Sequence, residues 1–180
     1  MRKILIILSF FLSFLLVSCI MPTSDVILSP NANISAIKKI AVWRFQDGGS
    51  IANSGDIATT AIESALMERG LSLVSYSKIR EILSVEIGDR EGMALDAGML
   101  TPKVLSRIHQ ETGVDAIIIG SVSEAWCDMS WIPPCRVAVS FKMINILSGE
   151  MIASVSASDD GYSAERAALK MARKAISKIK

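Results

Sequence analysis

The sequence predicts an α/β domain in which a mixed β-sheet is flanked by helices, with the element order βαβααβββα. Three observations support this prediction. Strand-like apolar runs alternate with helical patterns in the first half, a meander of strands follows, and an amphipathic helix comes last. Residues 38–180 are expected to form this domain alone, because the 162 residues that follow a signal segment suffice for one core and not for two.

The first four predicted elements alternate between strand and helix. Residues 38–45 have a β-rich centre, and apolar positions recur every three or four residues over 54–70, where a glycine ends the pattern. Residues 71–75 form a short strand, and a second helix over 77–88 starts at a serine cap and ends at glycine.

The second half contains a helix, three strands and a last helix. Residues 88–100 carry three glycines and are expected to form a loop or a frayed continuation of the helix. Thr101 and Pro102 suit the cap and first position of a helix that closes at Gly113. The remaining strands are expected at residues 115–122, 136–147 and 150–156, and the last helix at 162–179.

The first 19 residues have the pattern of a secretory signal, with two cations followed by apolar residues 4–17. Because a membrane-spanning helix needs roughly 20 apolar residues, this run is too short to span a bilayer. The motif Leu16-Val17-Ser18-Cys19 resembles the lipobox of bacterial lipoproteins. The resemblance implies a signal peptide over 1–18 and lipidation of Cys19, with a chance match in a signal cut elsewhere as the alternative. An aspartate after the cysteine favours the inner membrane in that family, so Ile20 implies the outer membrane, with the protein facing the periplasm.

Residues 19–37 are predicted to be the lipidated cysteine and a flexible tether. This segment lacks a periodic apolar face and contains prolines, serines and asparagines. Fully extended, it would reach on the order of 60 Å, which would hold the domain well away from the membrane.

Charge and cysteine content narrow the class of partner. The chain has 19 basic and 18 acidic side chains, and loss of the signal leaves 17 against 18, which does not indicate a nucleic-acid partner. Cys127 and Cys135 flank a turn between two strands, so they are predicted to form a disulfide in an oxidising compartment. Two free thiols are the alternative. A metal site is a weaker one because His109 is the only histidine, and no cofactor is implied.

An enzyme is not predicted. A Ser/His/Asp arrangement would need His109, which lies at the edge of an apolar helix face and is expected to be a helix-surface residue. The chain has no Gly-x-Ser-x-Gly elbow and no carboxylate pair in a context that suits glycosidic chemistry. Residues 47–50 could present amides to an anion, but a simple turn is favoured because the lysine of a phosphate-binding loop is missing.

Two surfaces are candidates for partner binding. The first is the apolar tip of the hairpin between the two cysteines, whose aromatic residues could contact a partner or a membrane interface, or could fold back onto the sheet. The second is the basic face of the last helix, which is either simply solvated or binds anionic lipid or peptidoglycan. The residues concerned are Trp126, Met129, Trp131 and Ile132 in the hairpin, and Arg166, Lys170, Arg173 and Lys174 in the helix.

Four stretches resemble the CsgG/LpoB-like superfamily, which includes the curli secretion channel and the lipoprotein activators of penicillin-binding proteins. The resemblance implies a periplasmic domain that has no catalytic activity and that binds partners or forms rings. The stretches are Ile40-Ala41-Val42-Trp43-Arg44-Phe45, Ser75-Tyr76-Ser77-Lys78-Ile79-Arg80-Glu81-Ile82-Leu83, Thr112-Gly113-Val114-Asp115-Ala116-Ile117-Ile118-Ile119-Gly120-Ser121-Val122 and Asn145-Ile146-Leu147-Ser148-Gly149-Glu150-Met151-Ile152.

The predicted function is that of an outer-membrane lipoprotein that serves as an adaptor, activator or assembly factor for an envelope complex. Its expected partners are the membrane, through Cys19, and an envelope protein or further copies of itself. The main alternative is a subunit of an oligomeric secretion or channel assembly. That role is disfavoured because channel members insert long membrane hairpins, whereas the segment from Cys127 to Cys135 is short and contains Pro133 and Pro134. An envelope hydrolase is a third and weaker alternative.

Overall fold

The computed structural model describes residues 23–30, 32–87, 95–130 and 132–179. The signal segment and Cys19 lie outside these residues, so signal cleavage and lipidation remain predictions. Short 3-10 turns occur at Ile34–Ala36 and Ala97–Met99. The strands and helices are β1 (Ser24–Leu28), β2 (Lys39–Val42), α1 (Ser54–Glu68), β3 (Ser72–Val74), α2 (Tyr76–Ile87), α3 (Pro102–Thr112), β4 (Ala116–Cys127), β5 (Cys135–Asn145), β6 (Met151–Gly161) and α4 (Ala164–Lys178).

The strands form one six-stranded mixed sheet in the order β1-β6-β5-β4-β2-β3. Neighbouring strands among β1, β6, β5 and β4 pair antiparallel, whereas β2 pairs parallel with both β4 and β3. The mixed sheet and the order βαβααβββα confirm the predicted fold class. The structure adds one strand, β1, in front of that order.

The prediction of a flexible tether over residues 19–37 is wrong for its described part. Ser24–Leu28 pairs antiparallel with β6, from Ser24 opposite Ala157 to Leu28 opposite Ala153. Ile37 is buried in the core, and Ser29 donates its amide to the Ile152 carbonyl at 2.8 Å. The folded domain therefore begins about 15 residues earlier than predicted, and a reach of about 60 Å is not available.

One face of the sheet is covered by α1 and α4 and holds the larger core. The inward side chains alternate with outward ones along most of β5 and β6, as period-two patterning requires, and the alternation breaks where the register shifts between Met143 and Ile144. Small alanines on both helices let them approach the sheet and each other closely. The residues at the centre of this core include Ile62, Leu66, Phe141, Val155, Met171 and Ile176.

The other face is covered by α2 and α3 over only part of its width. These helices pack on Ala41, Ile117 and Ile119, which belong to β2 and β4. The start and end of α3 match the predicted signals, because the Thr101 hydroxyl accepts from the Val104 amide at 3.4 Å and Gly113 adopts φ 65°.

An ion-pair cluster joins α2 to α3 and gives a pH-dependent prediction. Glu86 on α2 accepts from Lys103 at 2.8 Å and from Arg107 at 2.6 Å on α3. The hydrogen bonds from Lys103 and then Arg107 hold the pKa of Glu86 below its ordinary value of 4.5. Because the pKa of Glu86 is lower in the folded than in the unfolded state, the ion pairs stabilise the fold at pH values above the unfolded-state pKa. This stabilisation is lost as the pH falls through the folded-state pKa. We expect Glu86→Gln to lower the urea midpoint at pH 7.

The Glu86→Gln variant and the wild type should have the same urea midpoint once the pH is low enough to protonate Glu86 in both the folded and the unfolded state. Glu81→Gln is the matched control, because Glu81 is exposed and pairs with Lys78 within its own helix. A Glu86→Gln deficit that stayed constant down to pH 3 would contradict the assigned role of the cluster.

Candidate partner-binding face

The uncovered part of the second sheet face is the main candidate for a binding site. Its outward side chains come from β1, β6, β5 and the end of β4, and in the described part of the chain no helix packs over them. We call this surface the open face. It is formed by Asp25, Ser121, Glu124, Trp126, Arg136, Ser140, Lys142, Ser154, Ser156, Ser158 and Asp160.

Strand periodicity explains why this face is polar. In β6 the residues Ala153, Val155 and Ala157 point into the core, and the serines between them point to the open face. In β5 the exposed Ser140 and Lys142 flank the buried Phe141 in the same way. The result is a largely hydroxylated sheet surface on a rigid apolar support.

A shallow cleft of about 370 Å³ lies at the middle of the open face. Its floor is formed by serines of β4, β5 and β6 together with Lys142, and one wall carries Asp25 and Ile27 of β1. The other wall is the segment of residues 95–97, where α2 and α3 end their cover of the sheet. Ile27 is 72% exposed, so this wall adds an apolar contact to a polar floor.

A second cleft of about 380 Å³ lies further along the open face, at the arms of the β4–β5 hairpin. Arg136 is at its centre and donates to Glu124 at 3.1 Å, to Asp160 at 3.2 Å and to Ser158 at 3.1 Å. The Trp126 ring nitrogen donates to the other Glu124 oxygen at 2.8 Å. This network fixes the ring and the guanidinium in one arrangement, because each polar group has a partner.

The structure places the predicted hairpin residues in two different environments. Met129 and Ile132 are 89% and 86% exposed at the tip, as predicted. The placement of Trp126 at the tip is wrong, because it lies in β4 opposite Arg136 and is half-buried on the sheet. For Trp126 the alternative prediction, in which the side chain folds back onto the sheet, is the correct one. Trp131 lies outside the described residues.

The base of the hairpin is closed by the predicted disulfide. Cys127 and Cys135 are register partners on β4 and β5, and a disulfide joins them. Beyond it the Asp128 amide donates to the Pro134 carbonyl at 2.6 Å. The backbone and side chain of Ser130 both donate to the Asp128 carboxylate, which lowers the pKa of that carboxyl. The described part of the loop is therefore held at its base by covalent and hydrogen bonds.

The predicted basic residues of α4 are largely engaged within the protein. Arg173 forms a bidentate contact with Glu68 of α1 at 2.6 and 2.9 Å, and these hydrogen bonds lower the pKa of Glu68. Lys170 donates to the Asp160 carbonyl at 3.2 Å. Arg166 is exposed on the first turn of the helix, and Lys174 is half-buried. The helix is thus tied to its neighbours by Arg173 and Lys170, and binding of anionic lipid or peptidoglycan stays a prediction.

The two features considered for catalysis have structural roles. His109 is half-buried, and its Nδ1 lies 2.9 Å from the Val114 carbonyl, where α3 ends. In the loop of residues 47–50, the Asp47 carboxylate accepts from the Gly55 amide at 2.8 Å at the start of α1. Gly49 adopts φ +75° and packs directly on the backbone of Ala125. The turn interpretation is therefore the one that the geometry favours.

Two further observations on the described residues concern metal binding and membrane-spanning helices. No group of three or more His, Cys, Asp or Glu in this part of the chain could hold a metal ion. None of its helices has the length and hydropathy needed to span a bilayer. The fold and the open face together define a mixed-sheet α/β domain with one partly uncovered polar face.

Comparison with known proteins gives likenesses of fold. Neither a protein-family model nor a curated protein matches the chain. The PelC dodecamer structure from Paraburkholderia phytofirmans is similar with a TM-score of 0.61 and 16% identity, over 88% of this chain and 97% of that chain. The hypothetical protein CT253 from Chlamydia trachomatis has a TM-score of 0.50 and 11% identity, over 80% and 96%.

The LpoB C-terminal domain from Escherichia coli is also similar, with a TM-score of 0.48 and 16% identity over 69% of this chain and 83% of that chain. An LpoB domain, named in the sequence resemblance, is thus among the structural neighbours. At these identities the likenesses concern the fold alone. The resemblance to the CsgG/LpoB-like superfamily stays a prediction.

The open face was not predicted from the sequence. Its signal was present as the alternation of serine with alanine and valine over residues 153–158. That alternation shows which side chains leave the core, but it does not show whether a helix covers them. The Arg136 network was missed because Glu124, Arg136 and Asp160 are distant in sequence and meet only across three paired strands.

Proposed function

We propose that this chain is an outer-membrane lipoprotein, facing the periplasm, that acts without catalysis as an adaptor or assembly factor for an envelope complex. The lipobox-like motif at Cys19 supports the anchor, and Ile20 supports the outer membrane. The observation that carries the adaptor role is the open face, a rigid polar surface that the described part of the chain leaves exposed.

The chemistry of the open face suits a folded protein partner. Rows of serine hydroxyls can donate and accept, while Lys142 adds one positive charge and Asp25 and Asp96 add two negative charges at the cleft. Such a surface is typical of a non-obligate interface, which is about as polar as the rest of a protein surface. Trp126 and Arg136 belong to the residue types that most often dominate binding energy, and both are fixed in place before binding.

A role without catalysis is supported by the engagement of the groups that an enzyme would need. The only histidine is bonded to a carbonyl at a helix end. Glu124 and Asp160 both pair with Arg136, so their carboxylates are engaged in structural ion pairs.

A ring-forming subunit of an envelope assembly is the second candidate. The observation that favours it is the likeness to PelC, whose structure is a dodecamer and which matches nearly the full length of both chains. Under this proposal the partner of the domain includes further copies of itself, and the open face or the free edge of β1 would contribute to the contact.

One experiment separates the two candidates. A photoreactive residue placed at Ser140 on the open face would be crosslinked in living cells, with Thr60 on the exposed side of α1 as the matched control. An adaptor should give an adduct with a different envelope protein from position 140 and none from position 60. A ring subunit should give a ladder of self-adducts. If position 140 gives no adduct, the open face is not the binding surface.

A further inference from the structure

The direction of β1 places the start of the domain near the β4–β5 hairpin. The Ser158 amide donates to the Thr23 carbonyl at 2.8 Å, and the Thr23 amide donates to the Ser158 hydroxyl at 3.3 Å. Because β1 and β6 are antiparallel, the chain that precedes Thr23 comes from the end of β6 marked by Gly161. Gly161 is the register partner of Cys135, at the base of the hairpin.

Chain length limits where a membrane that holds Cys19 can lie. Cys19 is four residues before Thr23, so the two are at most about 14 Å apart. Along β6, the hairpin base at Gly161 lies three residues beyond Ser158, or about 10 Å. The opposite end of the sheet, at Met151, is seven residues away, or about 23 Å. A membrane surface perpendicular to the strands can therefore lie at the hairpin end and cannot lie at the far end.

The hairpin tip has the chemistry of a membrane-interface contact. Met129 and Ile132 are nearly fully exposed on one tip, and exposed apolar patches mark sites of contact with a protein or a membrane. The disulfide holds the arms of this tip together. The Asp128 carboxylate is bonded to Ser130, and the carboxylates of Glu124 and Asp160 share Arg136, so each of these carboxylates has a hydrogen-bond partner. Partial insertion to the depth of the headgroups leaves these polar groups in water.

We propose that Met129 and Ile132 insert into the interface of the same membrane that holds Cys19. This inference rests on the proposed lipid anchor and adds a second contact to it. Two contacts at one end of the domain fix its orientation, whereas an anchor alone would let it rotate. The strands then stand away from the membrane, and the open face points sideways toward partners in the periplasm.

The test uses the full-length lipoprotein in vesicles of phosphatidylethanolamine and phosphatidylcholine in equal parts. A photoreactive diazirine residue replaces Met129, Ile132 or Leu147. Leu147 is the matched control because it is 75% exposed and lies in the turn between β5 and β6, at the far end of the sheet. We expect several-fold more lipid adducts from positions 129 and 132 than from position 147.

The mass of the amino-terminal peptide is measured in the same samples. Acylated Cys19 together with equal adduct yields at the three positions would overturn the insertion and leave the anchor intact. Adducts from positions 129 and 132 with a second copy of the chain, in place of lipid, would also overturn it. An unmodified Cys19 would overturn the anchor itself, and with it the orientation derived from the anchor.

Discussion

Serine in place of Cys19 is expected to abolish lipid attachment. The lipid is joined through the cysteine sulfur in the lipoproteins that the motif resembles, and a serine hydroxyl does not replace it. Each buried methylene of an acyl chain contributes about 0.8 kcal/mol, so the loss of several chains removes a stable anchor completely. We expect the wild type to incorporate an alkyne-labelled fatty acid, to lack residues 1–18 and to band with the outer membrane on a sucrose gradient. The Cys19→Ser variant should incorporate no label and keep residues 1–18.

The matched control removes the other two cysteines. Cys127→Ser combined with Cys135→Ser deletes the disulfide and leaves the lipobox-like motif unchanged. This variant should incorporate as much label as the wild type, although it loses the closure of the hairpin. Equal labelling of the Cys19→Ser variant would show that another residue carries the lipid, and the proposed anchor would then be wrong.

The helices and inner strands could be predicted because their own sequence carries the pattern that burial requires. In α4 the small and apolar residues recur at three and four, and the buried positions in the structure are those positions. Ala116–Ile119 forms an uninterrupted apolar run, as expected for a strand buried on both faces between β2 and β5. For these elements local periodicity and tertiary packing agree.

The elements that were missed depend on partners far away in sequence. Ser24–Leu28 is only five residues long and is stabilised by β6, about 130 residues later. The end of β4 was missed because a register shift between Val122 and Glu124 interrupts the alternation of faces. The end of β6 was missed because Asp159 and Asp160 suggest a turn, whereas Asp160 pairs with Arg136 across the sheet.

Of the candidate site, only the disulfide could be predicted from the sequence. The spacing of Cys127 and Cys135 across a turn was enough to predict the disulfide. The open face required the strand order, because β1 at one edge extends the sheet beyond the width that α2 and α3 cover. The proximity of the hairpin to the amino-terminal end likewise follows from the pairing of β1 with β6, which the predicted tether had excluded.

Alanine in place of Phe141 is expected to produce the largest loss of stability among single core substitutions. Phe141 is 2% exposed at the middle of β5, and its ring lies 6.0 Å from that of Phe45 in an edge-on arrangement. Removing a buried phenylalanine ring costs about 3–5 kcal/mol in lost burial and cavity formation. Against a total of roughly 5–15 kcal/mol for a domain, urea denaturation should show a much lower midpoint. Leu147→Ala, at a side chain 75% exposed, should change the free energy of unfolding by about 0.5 kcal/mol or less.

The effect of this substitution depends on Gly120, which leaves room for both rings. A Cβ atom at Gly120 would lie 2.6 Å from the Phe45 ring and 2.7 Å from both the Phe141 Cβ and the Ser140 carbonyl oxygen, so Gly120→Ala overfills this contact. Because Phe141→Ala keeps the Cβ and the carbonyl, it can relieve only the contact with the Phe45 ring. The double variant should therefore be less destabilised than the sum of the two singles, because the Phe45 ring can move into the space that Phe141 vacates. If the losses of stability in the two single variants add up to that of the double variant, the two phenylalanine rings and Gly120 are not energetically coupled. Coupling between them would link the core to the proposed binding surface, because Ser140 and Lys142 flank Phe141 on the same strand and line the open face.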